Sequence, residues 1–343
     1  MLVGHPPLAA APCCPARWQV RNELEGSDDL RLFLGCFRHL LTSSSSSDQL
    51  RQACAQQLPA VIKAASALQP DVYSSQFHDI VTLLLADSSA EVRSTVAGQL
   101  YEHTRVAGAQ AANLLTRPLA RVLRDLGGGG APCVAAAAMP QLALTLGALA
   151  AAAPSDAKRE SVMADVAKAL TELDAAVGAR QWRLQQHLAQ AFSAFPRVFG
   201  SDQVYEHFVP MALRMLAGSA AAVRPAAAEG LAVFLRYGRK EAQRAELYRR
   251  LLREFARARC CTHRAAFLHV ARHLLSTFSS RWIKEWLFDA TLELLYDPVP
   301  NVRLQVCCLP SHAISSCSSG TCLSAACSCP AAHPSCLALY YTL

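Results

Sequence analysis

Runs of β-branched residues alternating with polar ones are hard to find in this sequence, which argues against a sheet. No stretch of about 18 or more residues is both strongly apolar and uncharged. The Ala-rich run from Cys133 to Pro154 comes closest, but Pro140, Gln141, Thr145 and Gly147 interrupt it, so no membrane span is expected. The segment from Met1 to Arg17 has no basic start before its Ala/Pro stretch and makes a poor secretory signal. Asn-x-Ser/Thr glycosylation sites are absent. The 14 cysteines therefore read as reduced thiols of a cytoplasmic or nuclear protein.

Charge is scarce as well. Charged residues make up 17% of the 343 positions and apolar residues 52%, an excess that comes largely from Ala and Leu. Both are good helix formers, so the chain is expected to be all-α.

The signatures of catalysis are also missing. Gly127 to Gly130 is followed by Ala131-Pro132, not by the Gly-Lys-Ser/Thr of a phosphate loop, and reads as a flexible loop. His269 and His273 share a helix face but are separated by Val270 and Ala271, without the Glu a zinc protease needs. Seven of the 14 cysteines fall in the last 37 residues, where no Cys-x-x-Cys knuckle occurs, so a zinc module is not expected there. No nucleophile–base pair or carboxylate pair stands out. The expectation is a non-enzyme with no cofactor and no metal.

What the sequence has is a repeat. An apolar helix, a short polar break and then Val-Arg opening a second apolar helix recur along the chain. Leu83-Leu84-Leu85-Ala86-Asp87 precedes Glu91-Val92-Arg93, and Leu294-Leu295-Tyr296-Asp297 precedes Asn301-Val302-Arg303. Met215-Leu216-Ala217-Gly218 precedes Ala222-Val223-Arg224, with Gly in the Asp position. Weaker copies give the marks Arg51, Arg183 after Trp182, and Arg264, and spacings of 42, 90, 41, 40 and 39. The 90 holds two units, with Val134-Ala135 as a degenerate middle copy.

A period near 40 with two helices per unit is the range of HEAT and armadillo repeats. One amphipathic hairpin cannot bury its apolar stripe alone, so about seven hairpins are expected to stack into an α-solenoid, an armadillo-like superhelix. The Asp before the second helix is placed to cap backbone N–H groups. The Arg one turn in is placed to reach the equivalent Asp of an adjacent unit, a partly exposed pair worth about 0–1 kcal/mol. The expected boundaries are a flexible segment over 1–29, the repeat array over 30–309, and a Cys/Ser-rich tail without repeat period over 310–343. Ser43 to Ser47 reads as a polar loop.

Several longer phrases carry a closer likeness: Gln181-Trp182-Arg183-Leu184, Asp297-Pro298-Val299-Pro300-Asn301-Val302-Arg303, and Phe267 to Leu275. In this order and spacing they resemble the HEAT-repeat scaffold subunits of protein phosphatase 2A, and more closely the related regulatory subunits of protein phosphatase 4. The resemblance covers Leu30 to Leu309. It implies a non-catalytic subunit that binds a serine/threonine phosphatase catalytic subunit of the 4 or 2A type. The partner is then expected along the loops within hairpins: Asp87 to Ala90, Gly218 to Ala221 and Asp297 to Pro300. On this footing the candidate contact residues are Asp87, Ser88, Ser89, Arg93, Trp182, Arg183, Arg224, Asp297, Asn301 and Arg303. The family arrays are much longer than seven units, and the likeness stops after Leu309-Pro310, which reads as an alternative or truncated end.

One feature lies outside the repeat. Arg236 to Arg264 holds ten Lys/Arg and three Glu, a balance of +7 that equals the net charge of the whole chain. Tyr248, Leu251, Leu252 and Phe255 suit a buried stripe, which leaves Arg249, Arg250 and Arg253 on other faces. They are candidates for docking an acidic protein segment, as in an adaptor resembling a transport receptor. Nucleic acid is disfavoured, because aromatic residues are not interleaved for base stacking. Trp282, Trp286 and Phe288 read as core between repeats.

Overall fold

A computed structural model describes residues 27–42, 46–69, 71–125, 133–177 and 181–309. The segments 1–26, 126–132 and 310–343 lie outside these described residues, as do positions 43–45 of the serine loop. So do the readings placed on the N-terminal segment, the Gly127–Gly130 loop and the Cys/Ser-rich tail.

Among the described residues all regular structure is helical, arranged as seven helical hairpins. Hairpin 1 pairs Ser27–Thr42 with Asp48–Leu68, hairpin 2 pairs 73–84 with 90–107, and hairpin 3 pairs Ala111–Arg124 with 133–151. Hairpin 4 pairs Asp156–Ala176 with 182–198, and hairpin 5 pairs 201–218 with Arg224–Tyr237. Hairpin 6 pairs 241–256 with Cys261–Thr277, and hairpin 7 pairs 280–296 with Pro300–Cys307. The expected number of units and their period are both met.

The local reasons are ordinary ones. In Ala111–Arg124 the residues Leu115, Leu119, Val122 and Leu123 fall on one stripe and are all buried. Ser47, Ser155 and Ser279 cap helices by accepting from the backbone N–H three residues on, each cap contributing about 1 kcal/mol. Pro59 and Pro118 lie inside helices, and Pro140 sits in the 3-10 turn Met139–Gln141 that bends the second helix of hairpin 3. π-Turns over Tyr73–Phe77 and Val204–Phe208 open the first helices of hairpins 2 and 5.

Among the described residues the main packing runs between neighbouring hairpins. Second helices stack on second helices: Asp48–Leu68 on Ala90–Ala97, Ala90–Ala97 on Cys133–Ala138, Trp182–Ala191 on Arg224–Tyr237, and Arg224–Tyr237 on Cys261–Thr277. First helices do the same, as where Ala111–Arg124 meets Asp156–Ala176. The result is one continuous buried core along the line of hairpins, the arrangement of a solenoid.

A cluster of phenylalanines lies between hairpins 4 and 5. Phe195 stands 4.5 Å from Phe208 and 5.3 Å from Phe192, and Phe192 is 5.6 Å from Phe234, ring centre to ring centre. Gly230 lets the two second helices approach, since a Cβ there would lie 2.6 Å from the Cβ of Phe192. Cys133–Ala151 is apolar and long enough to cross a membrane by length and composition alone. Here it is the bent second helix of hairpin 3, with Val134, Ala135, Ala138, Leu142, Leu146 and Leu149 in the core.

Candidate functional site: the edge of intra-hairpin loops

An antiparallel stack has two edges. One carries the loops within hairpins, the other the turns between hairpins. The repeat marks lie on the first edge, and there they form a ladder.

Arg51 of hairpin 1 donates from Nε and Nη2 to both carboxylate oxygens of Asp87 in hairpin 2, at 2.7 and 3.0 Å. Arg93 of hairpin 2 does the same to Asp125 in hairpin 3, at 2.6 and 3.3 Å. Arg264 of hairpin 6 repeats it on Asp297 in hairpin 7, at 2.5 and 2.9 Å.

The third nitrogen, Nη1, fastens the loop of the Arg's own hairpin. Arg51 donates to the Ser46 carbonyl, Arg93 to those of Asp87 and Ser88, and Arg264 to those of Ala258 and Arg259. Arg303 holds the carbonyls of Asp297 and Pro298 in the same way. Each of these guanidiniums thus shapes one loop, and three of them also bind the next.

The Asp closes the motif with an Asx turn. Asp87 Oδ1 accepts from the Ser89 N–H and Asp297 Oδ1 from the Val299 N–H, both at 2.8 Å. The expected helix cap is therefore placed just ahead of the helix, whose cap residues Ser89 and Val299 make no side-chain cap.

The pairs are also more buried than expected: the Arg264 and Asp297 side chains are 12% and 2% exposed. The Arg264 guanidinium, helped by the Val299 N–H, holds the Asp297 carboxyl below the usual carboxylate range. At Asp87 burial opposes ionisation, but Arg51 and the Ser89 N–H outweigh it and the carboxyl again titrates low.

Asp125 was not picked out as a mark. The signal was available, since Leu123-Arg124-Asp125 ends an apolar helix as Leu85-Ala86-Asp87 does, but the longer loop that follows hides the register.

The ladder is interrupted in the middle. Arg183 is exposed and lies over its neighbour Trp182, 4.5 Å from the ring centre, so the pair marks the edge without bridging it. Arg224 donates only to the Ser219 carbonyl, at 3.3 Å, and the matching position in hairpin 6 is Ala258.

Other polar contacts tie these hairpins together. Ser219 Oγ bonds Gln185 Oε1 at 3.1 Å. On the first helices, Arg124 reaches Asp165 and Glu172, Arg214 reaches Asp174, and Arg257 reaches Glu293.

The loops present different surfaces. Ser88 and Asn301 are exposed, and Trp182 is half-buried. Tyr296, next to Asp297, is 89% exposed, the most open large apolar side chain on this edge, and the repeat reading passed over it. Leu85, Ala86, Asp87, Arg93, Arg121, Arg124 and Asp125 line an open recess of about 380 Å³ between hairpins 2 and 3.

Arg249, Arg250 and Arg253 do not join this edge. They lie along the first helix of hairpin 6 and are paired locally, Arg249 with Glu246 and both others with Glu254. Of the expected stripe Tyr248, Leu251 and Phe255 are buried, while Leu252 is only half-buried. Trp282 and Trp286 pack edge-on against Tyr248, 5.7 and 5.3 Å away, as core between hairpins 6 and 7.

Together these features define a HEAT-type helical-repeat protein with an ordered edge of intra-hairpin loops. No family model matches the chain. Among curated proteins it is similar to serine/threonine-protein phosphatase 4 regulatory subunit 4 from Homo sapiens, 28% identical over 264 residues, which is 76% of this chain. The Mus musculus protein of the same name is 27% identical over the same length. The chain spans 29% of the length of each relative. The likeness read in the repeat phrases is thereby borne out: the chain is related to these regulatory subunits.

Proposed function

We propose that the chain is a non-catalytic regulatory or scaffold subunit that holds the catalytic subunit of a serine/threonine phosphatase of the 4 or 2A type. The observation that carries this reading is the 264-residue match to proteins named as regulatory subunits of phosphatase 4. The ladder supports it physically. Bidentate pairs fix neighbouring loops relative to one another, so a partner meets a surface already ordered and binding costs less entropy. In this reading Ser88, Arg183, Tyr296 and Asn301 are contacts, while Asp87, Arg93, Arg224, Asp297 and Arg303 position the loops. The complex forms in the cytoplasm or nucleus.

The test is direct titration of purified phosphatase 4 and 2A catalytic subunits by calorimetry, with Tyr296→Ala alongside. Saturable binding that Tyr296→Ala weakens supports the proposal. A folded chain that binds neither catalytic subunit overturns it.

A further inference from the structure

Hairpin 1 leaves one face of its first helix open. Leu30, Leu34, Phe37 and Leu41 of Ser27–Thr42 are buried, and the helix packs mainly on Asp48–Leu68 of its own hairpin. On the other side Asp29, Leu32, Cys36 and His39 are all exposed, with Leu40 beside them. Leu32 is 71% exposed and Leu40 43%. Helical stacks keep a face polar where nothing packs on it. This face has an apolar centre instead, which favours burial against another surface.

The exposed stripe reads the same in both directions. Asp29 to Leu32 is three residues, Leu32 to Cys36 four, and Cys36 to His39 three again. That is the spacing of the seam between two packed helices. Set antiparallel about a two-fold axis level with Leu34, each residue finds a complement on the second helix: Leu32 meets Cys36, and Asp29 meets His39. Parallel pairing would put Asp29 on Asp29. The helix ends follow the same order, with Asp28 and Asp29 in the first turn and His39 in the last. The ion pair within the helix, Arg31 with Asp28 at 3.9 Å, leaves Asp29 out. Antiparallel packing also sets opposite ends of the two helix dipoles side by side.

We infer that this face of Ser27–Thr42 pairs with the same face of a second copy of the chain, as an antiparallel two-fold dimer. A two-fold contact uses one patch twice, so the patch must be its own complement, and this stripe is. A single pair of helices lies at the small end of specific interfaces, so the dimer dissociates on dilution. The inference does not rest on the phosphatase reading, since it uses neither the loop edge nor a second kind of protein.

The test is sedimentation velocity of the chain over a dilution series, under a reductant so that thiols do not link copies. The wild type passes from dimer to monomer on dilution. Leu32→Glu weakens the dimer by roughly tenfold or more, because the two-fold axis counts the change twice. Leu144→Glu, on hairpin 3 and replacing a leucine that is 55% exposed, leaves it unchanged. Asp29→Lys and His39→Glu each weaken self-association. Mixing those two chains restores it, since both ends of the mixed dimer then join opposite charges. All variants are first matched to the wild type in melting temperature and circular dichroism. A chain that stays monomeric throughout, as it would if another of its own segments covered the face, overturns the inference. So does a Leu32→Glu dimer as strong as the wild type, or charge variants that mixing does not rescue.

Discussion

Arg264 and Asp297 hold the best-sheltered rung of the ladder, and the consequences of breaking it are unequal. Arg264→Ala strands a carboxylate that is 2% exposed, and such a loss costs about 3–5 kcal/mol. Removing both partners leaves no stranded charge, so the double variant is expected to melt above Arg264→Ala. Chemical denaturation of the two single variants and the double variant measures that coupling.

His103 belongs to the same scale. It is fully buried, neither ring nitrogen has a partner, and desolvation pushes its pKa down to about 4. The folded state therefore keeps it neutral while the unfolded chain protonates near pH 6.5. Stability is full above that value and falls as the pH drops toward 4, by about 2 kcal/mol at pH 5. Asp297, whose folded value is depressed, adds to the acid loss lower down, as the pH falls through its folded value. His103→Leu is expected to flatten the melting temperature between pH 6.5 and 5. An unchanged slope contradicts this assignment.

At the scale of elements, the contact of the second helices in hairpins 4 and 5 makes opposing demands on Gly230. Ala would gain about 1 kcal/mol of helix propensity. Its Cβ would also enter the space of Phe192, and overpacking costs about 1–3 kcal/mol. Steric cost wins, so Gly230→Ala is expected to lower the melting temperature where most exposed Gly→Ala changes in helices raise it.

Helices and their order were legible because Ala/Leu stripes and Val-Arg marks repeat at one period. The Arg–Asp contact between units was legible too, because both residues hold fixed positions in the phrase. The burial of the rungs was not, since exposure depends on how closely adjacent loops approach. Nor was the fate of the basic helix: the same arginines count as a patch in composition and as local pairs once Glu246 and Glu254 lie one turn away. Tyr296 was missed because the repeat pattern marks positions that pack and says nothing of a side chain that points outward.

At the scale of the molecule, stability in such a stack is close to a sum of hairpin and neighbour terms. The ladder ties hairpins 1 to 3 and 6 to 7, while first-helix pairs and the phenylalanine cluster tie the middle. Hydrogen exchange of the free chain is therefore expected to protect the second helices of hairpins 4 and 5 most. Uniform protection along the array would contradict that division.

The most direct measurement is a hydrogen-exchange footprint of the chain in complex with a phosphatase 4 catalytic subunit. Protection confined to the loops at 85–90, 218–223 and 296–301, with the turns at 199–201 and 238–240 unchanged, is the expected result. Protection on the turn edge with the loops still open would contradict it.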